Sequence, residues 1–476
     1  MDEAADVVVV GCGNAGICAA IAAREAGASV TVLERAPQYM RGGNSRHTRD
    51  IRHVHSGPDR YLTGSYTVEE LLEDLRRVTH GGGNRALSEL TARESESLPD
   101  WMEQRGVRWQ HSLHGTLHLS RTNRFMLGGG RAMLNSLYRT AEALGVSFRY
   151  ETAVDGIDVA DGTVRLTTVA GGKPSLDWGS LDQVGAERES ITARAVVFSA
   201  GGFEANLKWL SEYRGDGALN YIVRGTPYND GLVLRRLLDR GCRPGGNPAN
   251  FHGTAVDARA PAFDGGIVTR LDSVPFGVVV NSEAERFYDE GEDLWPKRYA
   301  IWGGMIGEQP GQIAYSIFDG KSAGLFMPSV YPAYSAPSLE DLAGQLGLPA
   351  EKLRKTVDGF NQSVPESGDF DPSRLDGLAT SGLKPPKTNW ARALDTPPYL
   401  AYPLRPGITF TYLGVEVTER AQIVRDDGEP FPHLFAAGEL MAGNILSQGY
   451  LAGFGLTIGA VFGRIAGKEA AARALS

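Results

Sequence analysis

A glycine-rich turn near the N-terminus constrains this chain more than any other feature of its sequence. Four valines at positions 7–10 lead into Gly11-Cys12-Gly13-Asn14-Ala15-Gly16, and an alanine-rich segment with helical spacing follows at 17–27. A second apolar run at 29–33 ends at Glu34. This order of strand, tight turn, helix, strand and acid is typical of a dinucleotide-binding βαβ unit.

Each part of that unit has a physical role. The glycines let the backbone approach a pyrophosphate, and the helix N-terminus presents free N–H groups and the positive end of its dipole to it. Glu34 is placed to bind ribose hydroxyls, and an acid at this position disfavours the 2′-phosphate of NADP. The alternative is an ordinary βαβ unit whose glycines only permit close packing.

The composition excludes several classes of partner. The net charge is −9 and basic runs are absent, so we expect no nucleic acid to bind. The three cysteines are too few for a disulfide framework or an iron–sulfur cluster. No signal peptide is recognisable and no apolar run is long enough to cross a membrane, so we expect a cytoplasmic protein without direct membrane insertion.

The pattern along the chain predicts a nucleotide-binding domain that is interrupted and then completed. We predict its first part over residues 1–248, with a helical excursion at about 60–125 and an exposed loop between Val169 and Ile191. Residues 249–410 have many prolines and aromatic residues and no βαβ rhythm, which indicates an inserted capping domain. The doubly wound pattern resumes over residues 411–476. Ligand clefts form at the junction of two such domains.

Three histidines, His111, His114 and His118, have spacings that would align them on a helix as metal ligands. Their segment contains a glycine and an alternation typical of a loop or strand. We therefore expect no metal site.

Five motifs distributed over the whole chain carry a family resemblance. They are GCGNAG (11–16), GGNSRHTRDIR (42–52), SAGGFEAN (199–206), VVVNSEAERFYDEGED (278–293) and AAGELMAGNILSQGYLAGFGLTIGAVFGRIAG (436–467). Together they resemble the flavoprotein family of fumarate reductases and succinate dehydrogenases, which also holds ketosteroid dehydrogenases, aspartate oxidase and urocanate reductase. The resemblance implies an α/β fold in which a discontinuous Rossmann-like FAD-binding domain carries an inserted α+β capping domain.

The resemblance also implies which residues hold FAD. Glu34 would bind the adenosine ribose, Glu439 would bind a ribityl hydroxyl, and the final helix would begin beneath the flavin ring. The full set that it implies is Gly11, Gly13, Asn14, Ala15, Gly16, Glu34, Arg35, Gly42, Gly43, Asn44, Ser45, Val154, Ala200, Gly201, Gly202, Gly438, Glu439, Gly453, Phe454, Gly455 and Leu456.

We expect this FAD to be bound without a covalent link. Asn44 takes the place of the histidine that is attached to the flavin in membrane-bound relatives. His47 lies three residues further along and is out of register for that attachment.

For catalysis, the resemblance points to a proton-carrying arginine after the stretch matched by residues 286–290. Arg298 is our candidate for the base or a carboxylate clamp, with Tyr299 as the competing residue. Because the pKa of arginine exceeds 12, Arg298 would need a proton relay through a group such as Glu290. His252 can be placed on the first substrate-binding histidine of the family, or it is a structural histidine.

Other positions depart from fumarate reductase. The second histidine falls near Phe410, so Thr411 or Tyr412 would have to replace it, and the second arginine falls near Tyr450. These departures put fumarate or succinate in doubt as the substrate.

Further cations could supply the missing carboxylate contacts. Arg270 and Arg405 are either spare arginines for this purpose or solvated surface residues, and the run at 46–53 is either a solvated loop or brings at least one of Arg46, His47 and Arg49 to an anionic substrate. If the chain is an enzyme, Arg270, Arg298, Arg405 and Tyr450 should converge on the interdomain cleft.

The resulting hypothesis is an FAD-dependent dehydrogenase that desaturates a CH–CH bond beside a carboxylate. Such a bond is a poor hydride donor to nicotinamide, whereas a flavin is a suitable acceptor. The motifs are most similar to members that oxidise tricarballylate to cis-aconitate. The alternatives are a dehydrogenase or oxidase for another acid, ketone or biosynthetic intermediate, a flavin-dependent monooxygenase, or an electron-transfer subunit without a substrate. Without cluster cysteines, electrons must pass to a separate iron–sulfur or quinone-linked protein or to oxygen.

Overall fold

The structure is a computed structural model that describes residues 3–112, 119–160, 162–170, 188–327 and 329–476. Within these ranges the strands are β1 (Glu3–Val10), β2 (Val30–Leu33), β3 (Asp50–Arg52), β4 (Asn123–Phe125), β5 (Ser147–Arg149), β6 (Thr152–Ala160), β7 (Thr163–Ala170), β8 (Arg188–Phe198), β9 (Ile222–Val223), β10 (Pro244–Gly245), β11 (Phe251–Asp257), β12 (Val278–Asn281), β13 (Ala314–Asp319), β14 (Tyr334–Ala336), β15 (Tyr399–Thr411), β16 (Gly414–Val415), β17 (Gln422–Val424) and β18 (Pro430–Ala436).

The helices of the same ranges are α1 (Asn14–Glu25), α2 (Val68–Val78), α3 (Arg85–Glu94), α4 (Leu98–Glu103), α5 (Leu119–Thr122), α6 (Gly129–Ala143), α7 (Leu207–Arg214), α8 (Leu232–Asp239), α9 (Trp295–Arg298), α10 (Trp302–Gly307), α11 (Leu339–Leu346), α12 (Ala350–Ser363), α13 (Glu439–Ala442) and α14 (Phe454–Leu475). His114, His118 and most of the loop predicted between Val169 and Ile191 lie outside the described residues. None of the helices described here combines the length and apolarity that crossing a membrane requires.

The larger sheet contains the nucleotide-binding unit. Its parallel part runs in the order β18-β8-β1-β2-β5, with β17 antiparallel at one edge and β7 antiparallel beside the first half of β8. The valine run lies in β1 at the centre of this order, and Val7, Val8 and Val9 are fully buried. A β-branched run buried on both faces is what a central parallel strand requires.

The turn after β1 needs its first glycine. Gly11 has φ +90°, and a Cβ atom there would lie 2.6 Å from the carbonyl oxygen of Ser199, which follows β8. Only glycine combines this conformation with that approach. The turn is therefore held against the end of the adjacent strand, β8.

Helices α1 and α14 pack closely on one face of the larger sheet. A side chain at Gly463 would overlap the carbonyl oxygen of Ala15, and one at Gly467 would overlap that of Ala19. Near the start of α14, Asn14 Nδ2 donates to the carbonyl oxygen of Leu456 at 2.8 Å. The glycines therefore bring the start of α14 next to the dinucleotide turn.

The second sheet is almost entirely antiparallel. Its order is β11-β15-β13-β12, with β14 paired to β15 and the short β9 added in parallel to the other end of β15. Helices α11 and α12 cover it over a separate apolar core that includes Ile317, Leu342 and Phe360. Strands β10 and β16 pair where the chain leaves the larger sheet and where it returns. The domain boundaries after residues 248 and 410 remain predictions. Strand β9 lies before the first of these boundaries in sequence but pairs with β15 of the second sheet.

The helical excursion lies between β3 and β4, which pair with each other. Its first helix, α2, begins after Thr67, whose side chain accepts a hydrogen bond from the Glu70 N–H. This capping arrangement and the apolar spacing explain the helix predicted at 68–75.

Candidate active site

A cavity with about 1570 Å³ of empty space, which includes open solvent at its mouth, lies between the two sheets. Its lining residues come from both sheets, as is common for ligand sites at the junction of two domains. The turn after β1 lines one end of the cavity, and residues of β11, the segment before β12 and β15 line the other.

Glu34 shapes the dinucleotide end. Its Oε2 accepts a hydrogen bond from the backbone N–H of Cys12 at 2.9 Å, and its Oε1 accepts one from that of Ala36 at 2.8 Å. The second glycine turn is tied to the first, because Asn14 N–H donates to Ser45 Oγ at 3.1 Å. Both turns and the acid therefore form one preorganised surface.

Most of the predicted cofactor residues lie on the cavity wall. Those that line it are Gly11, Gly13, Asn14, Ala15, Glu34, Arg35, Gly43, Asn44, Ser45, Val154, Ala200, Gly201, Gly202, Gly438, Glu439, Gly453, Gly455 and Leu456.

Three of the predicted residues, Gly16, Gly42 and Phe454, are not among the lining residues, and their assignment to the cofactor stays a prediction. A Cβ at Gly16 would overlap the carbonyl oxygen of Gly11, so this glycine closes the turn from behind. Gly42 faces the side chains of α6, and Phe454 is fully buried in the core. These residues shape the wall without being part of it.

Asn44 joins the second glycine turn to the other elements. Its Nδ2 donates to Glu204 Oε1 at 2.5 Å and to the carbonyl oxygen of Thr409 at 2.7 Å. Its Oδ1 accepts from the Thr226 N–H at 2.8 Å. The amide of Asn44 is thus fully occupied by protein groups on three segments.

Two buried carboxyl groups meet beside Asn44. Glu204 Oε1 also accepts from Asn229 Nδ2 at 2.7 Å, while Glu204 Oε2 is buried without a hydrogen-bond partner among the described residues. Glu439 Oε1 accepts from the Thr411 N–H at 2.8 Å. Burial raises the pKa of Glu204 to about 7, and burial together with the neighbouring Glu204 raises that of Glu439 well above its usual value. The pair therefore holds a proton near neutral pH.

Sequence reasoning missed Glu204. The available signal was its position two residues after Gly202, within the SAGGFEAN motif already assigned to the cofactor.

Three arginines, Arg49, Arg224 and Arg270, line the opposite end of the cavity. Arg270 forms an ion pair with Asp272 at 2.8 Å, and Arg49 lies 3.5 Å from both Asp272 and Asp50. Arg49 and Arg270 therefore share the buried carboxylate of Asp272. Arg270 was predicted as a spare cation and Arg49 as a possible substrate contact.

Arg224 differs from its neighbours because no acid among the described residues forms an ion pair with it. The residue is 5% exposed, and its Nε and Nη1 have no hydrogen-bond partner among the described residues. Burial, Arg270 and Arg49 lower the pKa of Arg224 to about 10, which still leaves it charged at neutral pH. The sequence assigned no role to Arg224, which follows an apolar pair and belongs to none of the quoted motifs.

Aromatic side chains close the same end. The guanidinium carbon of Arg270 lies 4.5 Å from the centre of the Tyr299 ring, and the Tyr299 ring meets His252 edge-on with centroids 5.1 Å apart. Burial, Arg224 and Arg270 lower the pKa of His252 well below its usual value, so this imidazole is neutral. His252, Tyr299 and Tyr450, all predicted at the site, therefore line one wall together.

Arg298 and Arg405, predicted as catalytic residues, are not among the residues that line the cavity. Arg298 forms an ion pair with Glu292 and donates to Tyr288 Oη at 3.0 Å. Arg405 contacts the carbonyl oxygen of Asn220 at 3.4 Å. Side-chain direction separates Arg298 from Tyr299, its neighbour in sequence, which does face the cavity.

The remaining candidates divide in the same way. Glu290, the predicted relay, is buried in an ion pair with Arg286 at 2.5 Å. Thr411 and Tyr412 lie behind the wall, whereas Phe410 lines it. His47 lines the cavity and pairs with Asp264 at 2.6 Å, and Arg46 is not among the lining residues.

This geometry agrees with comparisons to known proteins. A family model described as an FAD binding domain matches residues 6–454. The chain belongs to this FAD-binding family. The predicted FAD-dependent oxidoreductase class is thereby confirmed, and FAD is supported as the cofactor.

Two relatives and one solved structure show the likeness in more detail. The NADH:fumarate oxidoreductase of Klebsiella pneumoniae is 26% identical over 98% of this chain, which spans about half, 48%, of that relative. The 3-oxosteroid 1-dehydrogenase of Mycobacterium tuberculosis is 26% identical over 69% of this chain and 60% of its own length. An open flavocytochrome c3 fumarate reductase superposes with a TM-score of 0.75 at 24% identity, over 100% of this chain and 79% of that one. The predicted fold class is confirmed by this match.

Proposed function

We propose that this protein uses FAD to desaturate a CH–CH bond of a small polycarboxylate. The single observation that carries the proposal is the convergence of Arg49, Arg224 and Arg270 at the cavity end opposite the dinucleotide turn. Guanidinium groups bind carboxylates through paired, charge-assisted hydrogen bonds. A steroid or another neutral apolar substrate would leave the buried Arg224, which has no counter-ion among the described residues, without a partner, at a cost in free energy.

Tricarballylate, oxidised to cis-aconitate, is the leading substrate of this proposal. It offers three carboxylates to three arginines, and its reaction removes two hydrogens from a saturated carbon–carbon bond. The named relatives reduce fumarate or dehydrogenate a 3-oxosteroid, so the same family already hosts different substrates. The second candidate is a related dehydrogenase for another polycarboxylate. It is favoured because Arg49 and Arg270 share Asp272, which reduces the net positive charge of the arginine cluster.

Bound FAD supplies the hydride acceptor for this chemistry. We propose that its attachment is non-covalent. Asn44 presents an amide whose groups are all engaged with Glu204, Thr226 and Thr409. The Nε2 of His47 is engaged by Asp264. The expected result is that acid or heat denaturation releases the flavin completely from the polypeptide.

Tyr299 replaces Arg298 as our candidate for the group that moves the substrate proton. It is 3% exposed, lines the cavity and lies under Arg270. Burial raises the pKa of Tyr299, while the charges of Arg270 and Arg224 act in the opposite direction by stabilising a phenolate. The phenolate of Tyr299, stabilised by these two guanidinium groups, is a workable general base.

The electron acceptor of the proposed enzyme is a separate protein or oxygen. The three cysteines, Cys12, Cys18 and Cys242, are all buried and unpaired, and a cluster would need about four thiolates together. An iron–sulfur protein or a quinone-linked protein would suit this role.

The test is anaerobic mixing of the oxidised holoenzyme with tricarballylate, citrate, succinate or a 3-ketosteroid while flavin absorbance is followed. We expect bleaching by tricarballylate and not by the ketosteroid. Bleaching by the ketosteroid alone would contradict the polycarboxylate assignment. No bleaching by any of these compounds would instead favour an electron-transfer subunit without a substrate of its own.

A further inference from the structure

Two carboxyl groups, those of Glu204 and Glu439, lie within hydrogen-bonding reach of each other. Glu204 is 0% exposed, whereas Glu439 lines the cavity. Within the described ranges, the groups that act most strongly on the two charges include no cation. Two such carboxylates in contact cannot both be ionised near neutral pH, so the pair retains a proton.

The hydrogen bonds of Glu204 show where that proton lies. Its Oε1 accepts from Asn44 Nδ2 at 2.5 Å and from Asn229 Nδ2 at 2.7 Å. Its Oε2 is buried and receives no hydrogen bond from a donor among the described residues. An ionised carboxylate can only accept hydrogen bonds, whereas a carboxylic acid donates one through its O–H group. A proton between Oε2 and the carboxyl group of Glu439 therefore satisfies both side chains.

Glu439 is the member of the pair that faces a ligand. Its Oε1 accepts hydrogen bonds from the N–H and the hydroxyl of Thr411, at 2.8 and 3.2 Å. A hydroxyl group of a ligand in the cavity is bound more strongly by a carboxylate than by a neutral acid, because a charged acceptor forms the stronger hydrogen bond. Such a ligand favours the ionised form of Glu439 and places the shared proton on Glu204, which is not among the lining residues.

The other ionisable groups described on the surrounding segments do not compete for this proton. Tyr412 is affected by the charge of Glu439, but burial raises the pKa of Tyr412 well above its usual value, so the phenol stays neutral. The charged side chains with other neighbours are His47 with Asp264, Asp230 with Arg35, Arg46 beside Gly42, and Arg224 with Tyr299 and Tyr450.

We propose that Glu204 is a positioning residue of the cofactor site: as a neutral carboxylic acid it donates to Glu439, and its ionisation weakens the binding of FAD. Ionisation leaves two like charges in contact, so the carboxyl groups separate and Glu439 moves from its place on the wall. It also adds negative charge beside a ligand that is itself an anion.

Bound FAD excludes water from the cavity, which disfavours ionisation of the pair still further. Binding of FAD and loss of the proton therefore oppose each other. This inference needs FAD but no particular substrate, so its outcome is independent of the polycarboxylate assignment.

The test measures the dissociation constant of FAD from the holoenzyme as a function of pH. Dilute holoenzyme is equilibrated at each pH and ultrafiltered, and the free flavin is quantified by fluorescence against FAD standards at the same pH. In wild type we expect the dissociation constant to rise about tenfold or more between about pH 6 and pH 9, since loss of one proton changes affinity by up to a factor of ten per pH unit. A wild-type affinity that does not fall with pH would overturn the proposal, whatever the variants do.

Glu204→Gln is the matched variant, because its amide oxygen keeps the acceptor for Asn44 and Asn229 while its amide N–H donates to Glu439 at every pH. Its dissociation constant should stay within about threefold over the whole range, since the pair can no longer lose a proton. Glu204→Ala removes the donor and should weaken FAD binding by about tenfold or more even at the acidic end. Glu308→Gln, at an exposed glutamate outside the cavity wall, should keep the wild-type pH dependence.

Infrared spectra of the oxidised holoenzyme give a readout that does not depend on affinity. At the acidic end of the range, wild type should show the C=O stretch of a buried carboxylic acid. Glu204→Gln should lack this band, because Glu439 then accepts from the new amide and stays ionised. An unchanged band in Glu204→Gln, or a wild-type pH dependence of FAD binding in this variant, would assign the proton to another group and overturn the proposal.

Discussion

The imidazole of His252 lies flat against the phenol of Tyr450, with ring centroids 4.1 Å apart and planes 5° apart. The Tyr450 hydroxyl in turn accepts a hydrogen bond at 2.9 Å from the N–H of Gly455, at the start of α14. His252 lies in β11 of the second sheet, so these two rings connect that sheet to α14, whose start lies next to the dinucleotide turn. Tyr450 positions both walls of the cavity.

Replacing Tyr450 should separate its two contributions. Tyr450→Phe keeps the stack but leaves the Gly455 N–H without its acceptor, which should cost about 0.5–1.5 kcal/mol of stability. Tyr450→Ala also removes the stack, so a further loss of at least about 0.5–1.5 kcal/mol is expected. Thermal melts of both variants check this, with Tyr213→Phe as a control at a tyrosine that is 40% exposed. Equal melting temperatures for the two Tyr450 variants would show that the stack contributes nothing.

Tyr299→Phe should stop proton transfer without disturbing FAD. The variant keeps the ring under Arg270 but loses the hydroxyl, so kcat should fall by about 10²- to 10⁴-fold. Because the proposed base is the phenolate and burial raises the pKa of Tyr299, wild-type kcat should increase with pH on the alkaline side. That increase should be absent from the variant.

Arg298→Gln is the matched control for Tyr299→Phe, since it changes the adjacent residue, which is not among those lining the cavity. Its kcat should stay within about threefold of wild type, because the half-buried ion pair with Glu292 that is lost lies outside the cavity wall. Full activity in Tyr299→Phe combined with loss of activity in Arg298→Gln would return the catalytic role to Arg298.

Glu204 should make stability depend on pH. Burial raises the pKa of Glu204 to about 7 in the folded protein, above the unfolded value near 4.5. The folded state therefore binds more protons between these pH values, and the contribution of Glu204 to stability should fall as pH rises from about 4.5 to 7 and then level off. Glu204→Gln keeps an acceptor for Asn44 and Asn229 and cannot ionise.

The measurement for Glu204 is the difference in unfolding free energy between wild type and Glu204→Gln across that pH range, without FAD. The variant should gain about 2–3 kcal/mol relative to wild type between pH 5 and pH 8, since one pKa unit corresponds to about 1.4 kcal/mol. Using the difference cancels the titrating groups that do not interact with Glu204, whereas Glu439, whose pKa Glu204 raises, contributes to the difference. A difference that does not change with pH would mean that Glu204 is ionised throughout.

The sequence indicated the cofactor end more fully than the substrate end for a physical reason. The turn at Gly11–Gly16 is local: strand, turn, helix and acid follow one another within 34 residues, and glycines mark close backbone approaches. The arginine cluster is non-local. Arg49, Arg224 and Arg270 come from three separate segments, so no spacing reveals that they meet.

Side-chain direction and counter-ions explain which of the predicted catalytic residues line the cavity and which do not. Arg298 was chosen because of its place after a motif, but Glu292 holds it outside the cavity wall. Within the part of the chain that the structure describes, Arg224 has no such acid, and the absence of a counter-ion in three dimensions cannot be read from neighbours in sequence. The carboxyl pair of Glu204 and Glu439 likewise brings together residues that are far apart in the chain.

Two glycines of the first turn should respond differently to alanine. A Cβ at Gly16 would overlap the backbone of Gly11, whereas a Cβ at Gly13 meets nothing closer than 3.6 Å, at the Gly42 carbonyl oxygen and Ser45 Oγ. Gly16→Ala should therefore lower the melting temperature of the protein without FAD, because the turn or α1 must shift. Gly13→Ala should leave that temperature nearly unchanged and still weaken FAD binding by at least about tenfold, since the methyl group occupies space needed for the pyrophosphate. Melts of the flavin-free proteins and fluorescence titrations with FAD distinguish the two effects. A Gly13→Ala protein that binds FAD as wild type does would place the pyrophosphate elsewhere on the turn.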